Sequence, residues 1–437
     1  MGHTETPQLR RSLGFWSLLA YGVGDMLGAG IYALVGRVAG IAGSLAWFSF
    51  AIAMLAATLT ACVYAELATR FPKSGGAAHY CDQVFRRPSL SIVIGWLVLC
   101  SGLVSMATSS RAFAGYLYEL SGGIPHIVAI CGFLFIVGTV TYRGIRESSA
   151  MNILCTTIEL SGLLLVLSSG LILLFGGSAP ESPTPAPSPE SAMGSITALL
   201  ILQGAGLAFF ACIGFEDIAN VTEEVKSPER TVPRALLSAM AVVSLVYMLV
   251  AYVATSVVSP EVLGKSGAPL TTVVKVTAPW APLHLFSGIA MFAVANTSLL
   301  NCVMASRLLY GMSREGLLPA WLGHVHPTRQ TPYRASFLVV AAALVLAVTG
   351  TVTRLANTTS VLLLSVFIVV GVALLVAKRN DVETYTGFRV PAAIPVLSIS
   401  ICALLIVVSD VYSIAIAVGL ACVGTVITLA SRRGIRA

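Results

Sequence analysis

Four carboxylates lie within long apolar runs of this 437-residue chain: Asp25, Glu159, Glu216 and Asp217. A charge is costly to bury in apolar surroundings, so an acid at such a depth takes up a proton, meets an opposite charge or holds a polar ligand. Glycines stand close to three of these acids, in GVGDMLGAGIYALVG at 22–36 and in FFACIGFEDIAN at 209–220. These two segments are therefore the first candidates for a binding site.

The apolar runs that hold these acids are predicted membrane spans. Apolar residues make up 57% of the chain and charged residues only 10%, which excludes an ordinary water-soluble fold. A helix of about twenty apolar residues crosses a bilayer. Twelve such spans are predicted, at 13–35, 43–69, 90–118, 124–142, 149–176, 195–222, 235–258, 281–311, 335–351, 357–377, 391–408 and 411–430. We expect residues 1–437 to form a single all-α transmembrane domain.

The basic residues predict the orientation of these spans. An even number of spans places both termini on one side, and only five of the 26 Lys and Arg residues then fall on the opposite side: Arg37, Arg111, Lys265, Lys275 and Arg354. The positive-inside rule makes the basic side cytoplasmic. The sequence thus predicts a multi-pass protein of the cell membrane, inner or plasma, with both termini in the cytoplasm. The net charge of +7 is explained by orientation and contact with anionic lipid, so no nucleic-acid partner is expected.

Spans 1 and 6 occupy corresponding positions in two groups of five spans. A proline-rich loop, predicted to lie outside at 176–194, separates the two groups, and both spans combine mid-span glycines with an acid. Interrupted spans at corresponding positions indicate an inverted-repeat transporter with its site at the interruptions. The alternative is that the glycines form a close-packing face, since Gly24 and Gly28 have the small-xxx-small spacing.

Breaks in these two spans would offer opposite dipoles to a ligand. The amides of the second half of span 1 favour an anion such as a carboxylate, and those amides belong to Gly28, Ala29 and Gly30. Carbonyl groups at the ends of the first half-helices favour an amine, and these belong to Met26, Phe210, Ala211, Cys212 and Ile213. One pole for a carboxylate and one for an amine is what an α-amino acid requires.

Several segments resemble the amino acid-polyamine-organocation (APC) transporters. They are GAGI at 28–31, YAELATRFPKSGGAAHY at 64–80, GFEDIANVTEEVKSPERTVPRAL at 214–236, SRLLYGMSREGLLP at 306–319 and TPYRA at 331–335. The resemblance implies a 5+5 inverted repeat, with spans 1–5 in residues 1–177 and spans 6–10 in 195–377. It also implies two further spans in 391–430, alternating access and a substrate site between broken spans 1 and 6. Phe210 matches an aromatic gate residue. Glu216 matches an acidic position of the substrate site, where it would either support the span 6 break or, as an acid at a helix N-terminus, stabilise the second half-helix.

Glu159 departs from the pattern of that family. In ESSAMNILCTTIEL, at 147–160, it stands where many sodium-independent members have a lysine. A carboxyl group in an apolar span can take up and release a proton, which suggests proton coupling. Alternatively, an ionised Glu159 could hold sodium together with the hydroxyls of Thr297 and Ser298. A purely structural hydrogen bond from a protonated Glu159 is the third reading.

Asp25 lies about one turn before Gly28 and would attract a second positive group, as would Asp217 if it faces inward. We therefore expect a secondary active transporter of amino acids or organic amines, proton-coupled and biased to cationic substrates. An exchanger, or a sodium-coupled symporter of neutral amino acids, is the alternative. No catalytic or metal-binding pattern stands out, so neither an enzyme nor a cofactor is predicted, apart from H⁺ or Na⁺ as the coupling ion.

Overall fold

The computed structural model describes residues 13–73, 75–143, 149–176, 195–314, 316–327, 329, 331–380, 385 and 387–434. These residues are overwhelmingly helical, and the one extended pairing among them is an isolated bridge between Leu13 and Val225. The prediction of an all-α membrane protein is confirmed at this level. The proline-rich loop at 177–194 lies outside the described residues, as do both chain ends.

The helices follow the predicted spans closely. They are α1 (Phe15–Met26), α2 (Ala29–Ala42), α3 (Ala46–Arg70), α4 (Gly76–Phe85), α5 (Pro88–Ser121), α6 (His126–Arg143), α7 (Ser149–Phe175), α8 (Ser195–Ala208), α9 (Asp217–Asn220), α10 (Pro228–Val257), α11 (Pro260–Lys265), α12 (Pro269–Thr277), α13 (Leu283–Arg314), α14 (Tyr333–Thr349), α15 (Val352–Asn380), α16 (Ala393–Val407) and α17 (Val411–Gly434). The short helices α4, α11 and α12 lie between predicted spans. Helix α10 begins at Pro228, seven residues before the predicted start of span 7, because a proline is well accommodated in a first helical turn.

Nine helical stretches in the described part of the chain are long and apolar enough to cross a bilayer. Helices α14 and α16 are shorter apolar helices, and α1 has only 12 residues before the chain breaks and continues as α2. This architecture fits the multi-span prediction. The count of twelve and the inverted repeat stay predictions.

The bundle core is formed by α5 against α13 and by α3 against α10, which bring the two halves of the chain together. A buried ionic cluster joins the end of α3 to α15 and to the segment before α16. Glu66 on α3 is fully buried and pairs with Arg70 at 2.8 Å and with Lys378 of α15 at 2.7 Å. It also accepts the Val390 N–H at 2.8 Å, just before α16. Since a buried carboxylate needs such partners, this cluster fixes the end of α3 against α15. Sequence reasoning did not select it.

Candidate functional site

The first span is broken, as predicted. Helix α1 ends at Met26, Leu27 and Gly28 are not helical, and α2 begins at Ala29. Gly28 is the residue that precedes α2, with φ −78° and ψ −138°. The predicted interruption at Gly28–Gly30 therefore falls on Leu27 and Gly28, while Ala29 and Gly30 form the first turn of α2. Amides in a first turn have no intrahelical partner and need an acceptor from a side chain, water or a ligand.

The sixth span is broken as well. Helix α8 ends at Ala208, a single 3₁₀ turn covers Phe209–Cys212, and the chain turns through Ile213–Glu216 before the short α9. Gly214 has φ +124°, a conformation that an L-residue rarely adopts. The Glu216 carboxylate accepts the Gly214 N–H at 2.9 Å. Glu216 thus stabilises the turn itself, as the family resemblance implies.

The two breaks face each other at backbone contact. A Cβ atom placed on Gly30 would overlap the Cα atom of Ala211. A Cβ atom on Gly214 would lie 3.0 Å from the carbonyl carbon of Asp25. Because contacts under 3.0 Å essentially do not occur for real Cβ atoms, any side chain at position 30 would force the two breaks apart. The glycines that sequence reasoning selected are what allows the two breaks to meet.

Two side chains from other helices hydrogen-bond to the break in span 1. The Tyr247 hydroxyl on α10 donates to the Met26 carbonyl, and the Thr297 hydroxyl on α13 accepts the Ala29 N–H at 2.8 Å. Met26 and Ala29 were predicted to bind substrate, and each is already engaged within the protein. By contrast, the Ala211 carbonyl accepts no hydrogen bond from the described residues.

A cavity of about 600 Å³ opens at the breaks and runs to the end of the bundle that holds Gly75, Glu224 and Arg307. Its volume lies in the range of small-molecule sites. Most of the predicted binding residues line it: Asp25, Met26, Gly28, Ala29, Gly30, Phe210, Ile213, Glu216 and Thr297. Ala211 and Cys212 are not among its walls. Ala211 packs on Gly30, and the Cys212 sulfur points to Met54, 3.6 Å away.

A family comparison decides what kind of protein carries this site. Residues 13–430 match the model of a family described as amino acid permease. The chain belongs to the amino acid permease family. This membership confirms the expected APC transporter, multi-pass in a membrane, and it makes the protein a permease rather than an enzyme.

Relatives of the permease are transporters in name. It is 28% identical over 423 residues to the methylthioribose transporter of Bacillus subtilis (strain 168), covering 91% of this chain and 88% of that protein. A branched-chain amino acid permease of the same organism is 27% identical over 424 residues, with the same two coverages. The mitochondrial cationic amino acid transporter 3 of Arabidopsis thaliana is 31% identical over 397 residues, 86% of this chain and 64% of that longer protein.

The cavity of the permease is acidic. Its walls carry the carboxylates of Asp25, Glu216, Asp217 and Glu224, against the single guanidinium of Arg307. The side chains of Asp25 and Asp217 lie next to each other on these walls, so Asp217 faces inward. The Asp25 Oδ2 atom is buried and has no hydrogen-bond partner among the described residues. A buried carboxylate oxygen in that situation is able to accept an additional donor from a ligand.

Glu159 lies on α7, outside the cavity walls, and is fully buried. Its Oε1 atom accepts the amide of Asn296 at 2.9 Å, and its Oε2 atom has no partner among the described residues. The Thr297 hydroxyl is engaged instead by Ala29 and by the Ala293 carbonyl, and the Ser298 hydroxyl is buried without a described partner. The predicted trio is therefore not joined by hydrogen bonds. Asn296, which sequence reasoning missed, is the residue that contacts Glu159.

At the end opposite Arg307, the cavity is closed by the packing of the permease's own helices. The Tyr32 hydroxyl donates to the Glu159 carbonyl at 2.7 Å, and the Tyr116 hydroxyl donates to the Tyr32 carbonyl at 2.8 Å. Further along α2, Gly36 packs directly on the backbone of Leu263. Buried tyrosines and close glycine contacts thus seal one end while the other is open.

Thr297→Val is expected to destabilise the permease by about 1–3 kcal/mol, because the buried Ala29 N–H loses its acceptor. Thr297→Ser keeps the hydroxyl and is the matched control, with an expected change well below this. Thermal unfolding of the purified variants in detergent measures both. Equal melting temperatures for valine and serine would show that the hydroxyl does not support the break.

Proposed function

We propose that the permease is a secondary transporter that takes up cationic amino acids or related organic amines, coupled to protons. The observation that carries this proposal is the unpartnered oxygen of Asp25, at the break and within an acidic cavity. A desolvated carboxylate discriminates strongly in favour of a ligand that brings a positive group. A relative named as a cationic amino acid transporter supports the same substrate class.

In this proposal the ligand lies across the two breaks. Its carboxylate meets the first turn of α2, where Gly28 and Gly30 supply amides and Ala29 is held by Thr297. Its α-amine meets the carbonyl end of the 3₁₀ turn, where Phe210 and Ile213 line the cavity. The cationic side chain reaches Asp25, and Phe210 covers the ligand as a gate.

The same proposal includes the finer architecture. The breaks between α1 and α2 and between α8 and α9 interrupt the first and sixth spans. These two spans begin two inverted five-span repeats, in 1–177 and 195–377. Residues 391–430 supply the last two of twelve spans. The permease lies in the inner or plasma membrane of the cell, with both termini in the cytoplasm. In this orientation the open cavity faces the cytoplasm. Alternating access then requires the sealed end at Tyr32 and Gly36 to open. The closed and open ends of this structure support that cycle.

We assign the coupling proton to Glu159. Neither of its oxygens meets a cation among the described residues, so a proton is the simplest partner that neutralises it. The Tyr32 hydroxyl on α2 donates to the main-chain carbonyl of Glu159 on α7. A movement of α7 at Glu159 is therefore transmitted to α2 and to the break at its start. Sodium remains the alternative, and the unpartnered Ser298 hydroxyl supports it.

Glu159→Gln is expected to remove the acceleration of uptake by an inward proton gradient, because glutamine cannot bind and release a proton. Exchange of internal for external substrate should continue, since the amide keeps the contact with Asn296. Proteoliposomes with imposed proton or sodium gradients measure both processes. If the variant still accumulates substrate against its gradient with unchanged pH dependence, the assignment is contradicted. If a sodium gradient alone stimulates uptake by the unaltered protein, the sodium-coupled symporter is favoured.

A neutral amino acid is the second candidate substrate. Apolar walls formed by Phe210, Leu363 and Phe367 suit a hydrocarbon side chain, and one relative is named as a branched-chain amino acid permease. Competition uptake separates the candidates: arginine, lysine and ornithine should inhibit uptake of labelled lysine more strongly than leucine or alanine. The reverse order would support the second candidate. Uptake that requires substrate inside the liposomes, and no ion gradient, would identify an exchanger.

A further inference from the structure

Two arginines converge on a second, smaller cavity at the sealed end of the bundle. Arg37 on α2 and Arg111 on α5 both line a cavity of about 90 Å³. Both side chains are partly buried, and they lie close enough for their charges to repel each other. Like charges held together and partly removed from water destabilise each other unless an anion lies between them.

Neither guanidinium has a carboxylate partner in the part of the chain that the structure describes. Arg37 donates to the Gly264 carbonyl, and Arg111 donates to the Ala347 carbonyl at 2.6 Å. The described ion pairs involve other residues. A guanidinium carries five N–H donors, so most of the donors of this pair are left for a ligand.

We propose that this cavity is a binding site for one small monovalent anion, held between Arg37 and Arg111. A cavity of about 90 Å³ has room for a chloride ion or a carboxylate group between the two guanidiniums. Ser266 and His126 line the cavity beside the arginines and add polar atoms. The anion is dissolved chloride or the carboxylate of an arriving amino acid, and only the second source rests on the proposed transport function.

The position of the cavity connects this anion to the closure of the sealed end. Arg37 reaches α11 through the Gly264 carbonyl, and Arg111 lies one turn from Gly115, whose backbone meets that of Gly267 in the segment between α11 and α12. These contacts bring α2, α5 and the α11–α12 segment together. An anion between the two guanidiniums offsets their repulsion and stabilises this closed arrangement.

Chloride NMR line broadening on the purified full-length protein in detergent tests the site directly and needs no transport. Saturable broadening is expected, and its apparent affinity should fall about tenfold or more in Arg37→Gln and in Arg111→Gln, since each loses charge-assisted hydrogen bonds. Lys275→Gln is the control, because Lys275 is a cation outside this cavity that pairs with Glu119 at 3.8 Å. Absence of saturable broadening, or equal broadening in all three variants, would overturn the proposal.

Competition then distinguishes the two sources of the anion. If the site receives an amino acid carboxylate, lysine should displace chloride, whereas the corresponding diamine without a carboxylate should not. If the site holds chloride alone, neither compound should displace it. Displacement by the diamine as strongly as by lysine would contradict an anion site, since the diamine carries no negative group. Failure of the transport proposal would leave the chloride measurement unaffected.

Discussion

Gly30→Ala is expected to reduce substrate uptake about tenfold or more. The added methyl group overlaps the Ala211 backbone, so the two breaks must move apart, and overpacking of this kind costs about 1–3 kcal/mol. The contact lies between two main chains and no flexible side chain is available to yield. Uptake of labelled lysine into proteoliposomes, normalised to the reconstituted protein, measures the effect.

Gly132→Ala is the matched control, because Gly132 lies within α6 and a Cβ atom there has no heavy atom within 4 Å. Its uptake and melting temperature should stay close to those of the unaltered protein. Gel filtration of the Gly30 variant establishes whether it folds, and lysine-induced thermal stabilisation reports binding separately from transport. A well-folded Gly30→Ala protein with full binding and uptake would show that contact between the breaks is not needed.

Asp25→Asn is expected to lower uptake of cationic substrates about tenfold or more while leaving uptake of neutral amino acids largely unchanged. The substitution removes one full charge from the break, where hydrogen bonds to a charged group contribute about 1.5–3 kcal/mol. The amide has nearly the size of the carboxyl group and can donate a hydrogen bond to the adjacent Asp217, so the local structure should be kept. The ratio of lysine to leucine uptake in the same preparation is the measurement.

Glu119→Gln provides the control for a general effect of removing an acid. Glu119 pairs with Lys275 on the surface and is not a wall of the cavity. Its lysine-to-leucine ratio should match that of the unaltered protein. If Asp25→Asn lowers lysine and leucine uptake by the same factor, Asp25 supports the fold or the coupling and does not recognise the substrate.

The positions of the helices follow from the sequence because they depend on local properties of the chain. A bilayer requires runs of apolar residues, and only hydropathy is needed to find them. The two breaks could also be predicted from the sequence, because glycines such as Gly28 and Gly214 lie where these membrane helices are interrupted. The motif at 214–236 and the family resemblance then indicated a transporter site at those breaks.

Tertiary structure alone decided which side chains surround the breaks. Tyr247 and Asn296 stand in apolar helices without any motif, and their roles depend on the rotation of α10 and α13 against distant parts of the chain. For the same reason Thr297 binds the Ala29 amide instead of joining Glu159, and Asp217 meets Asp25 inside the cavity. The rotation of each helix and the closure of one end of the cavity depend on packing between segments that are far apart in the sequence. The residues of a single span therefore do not predict them.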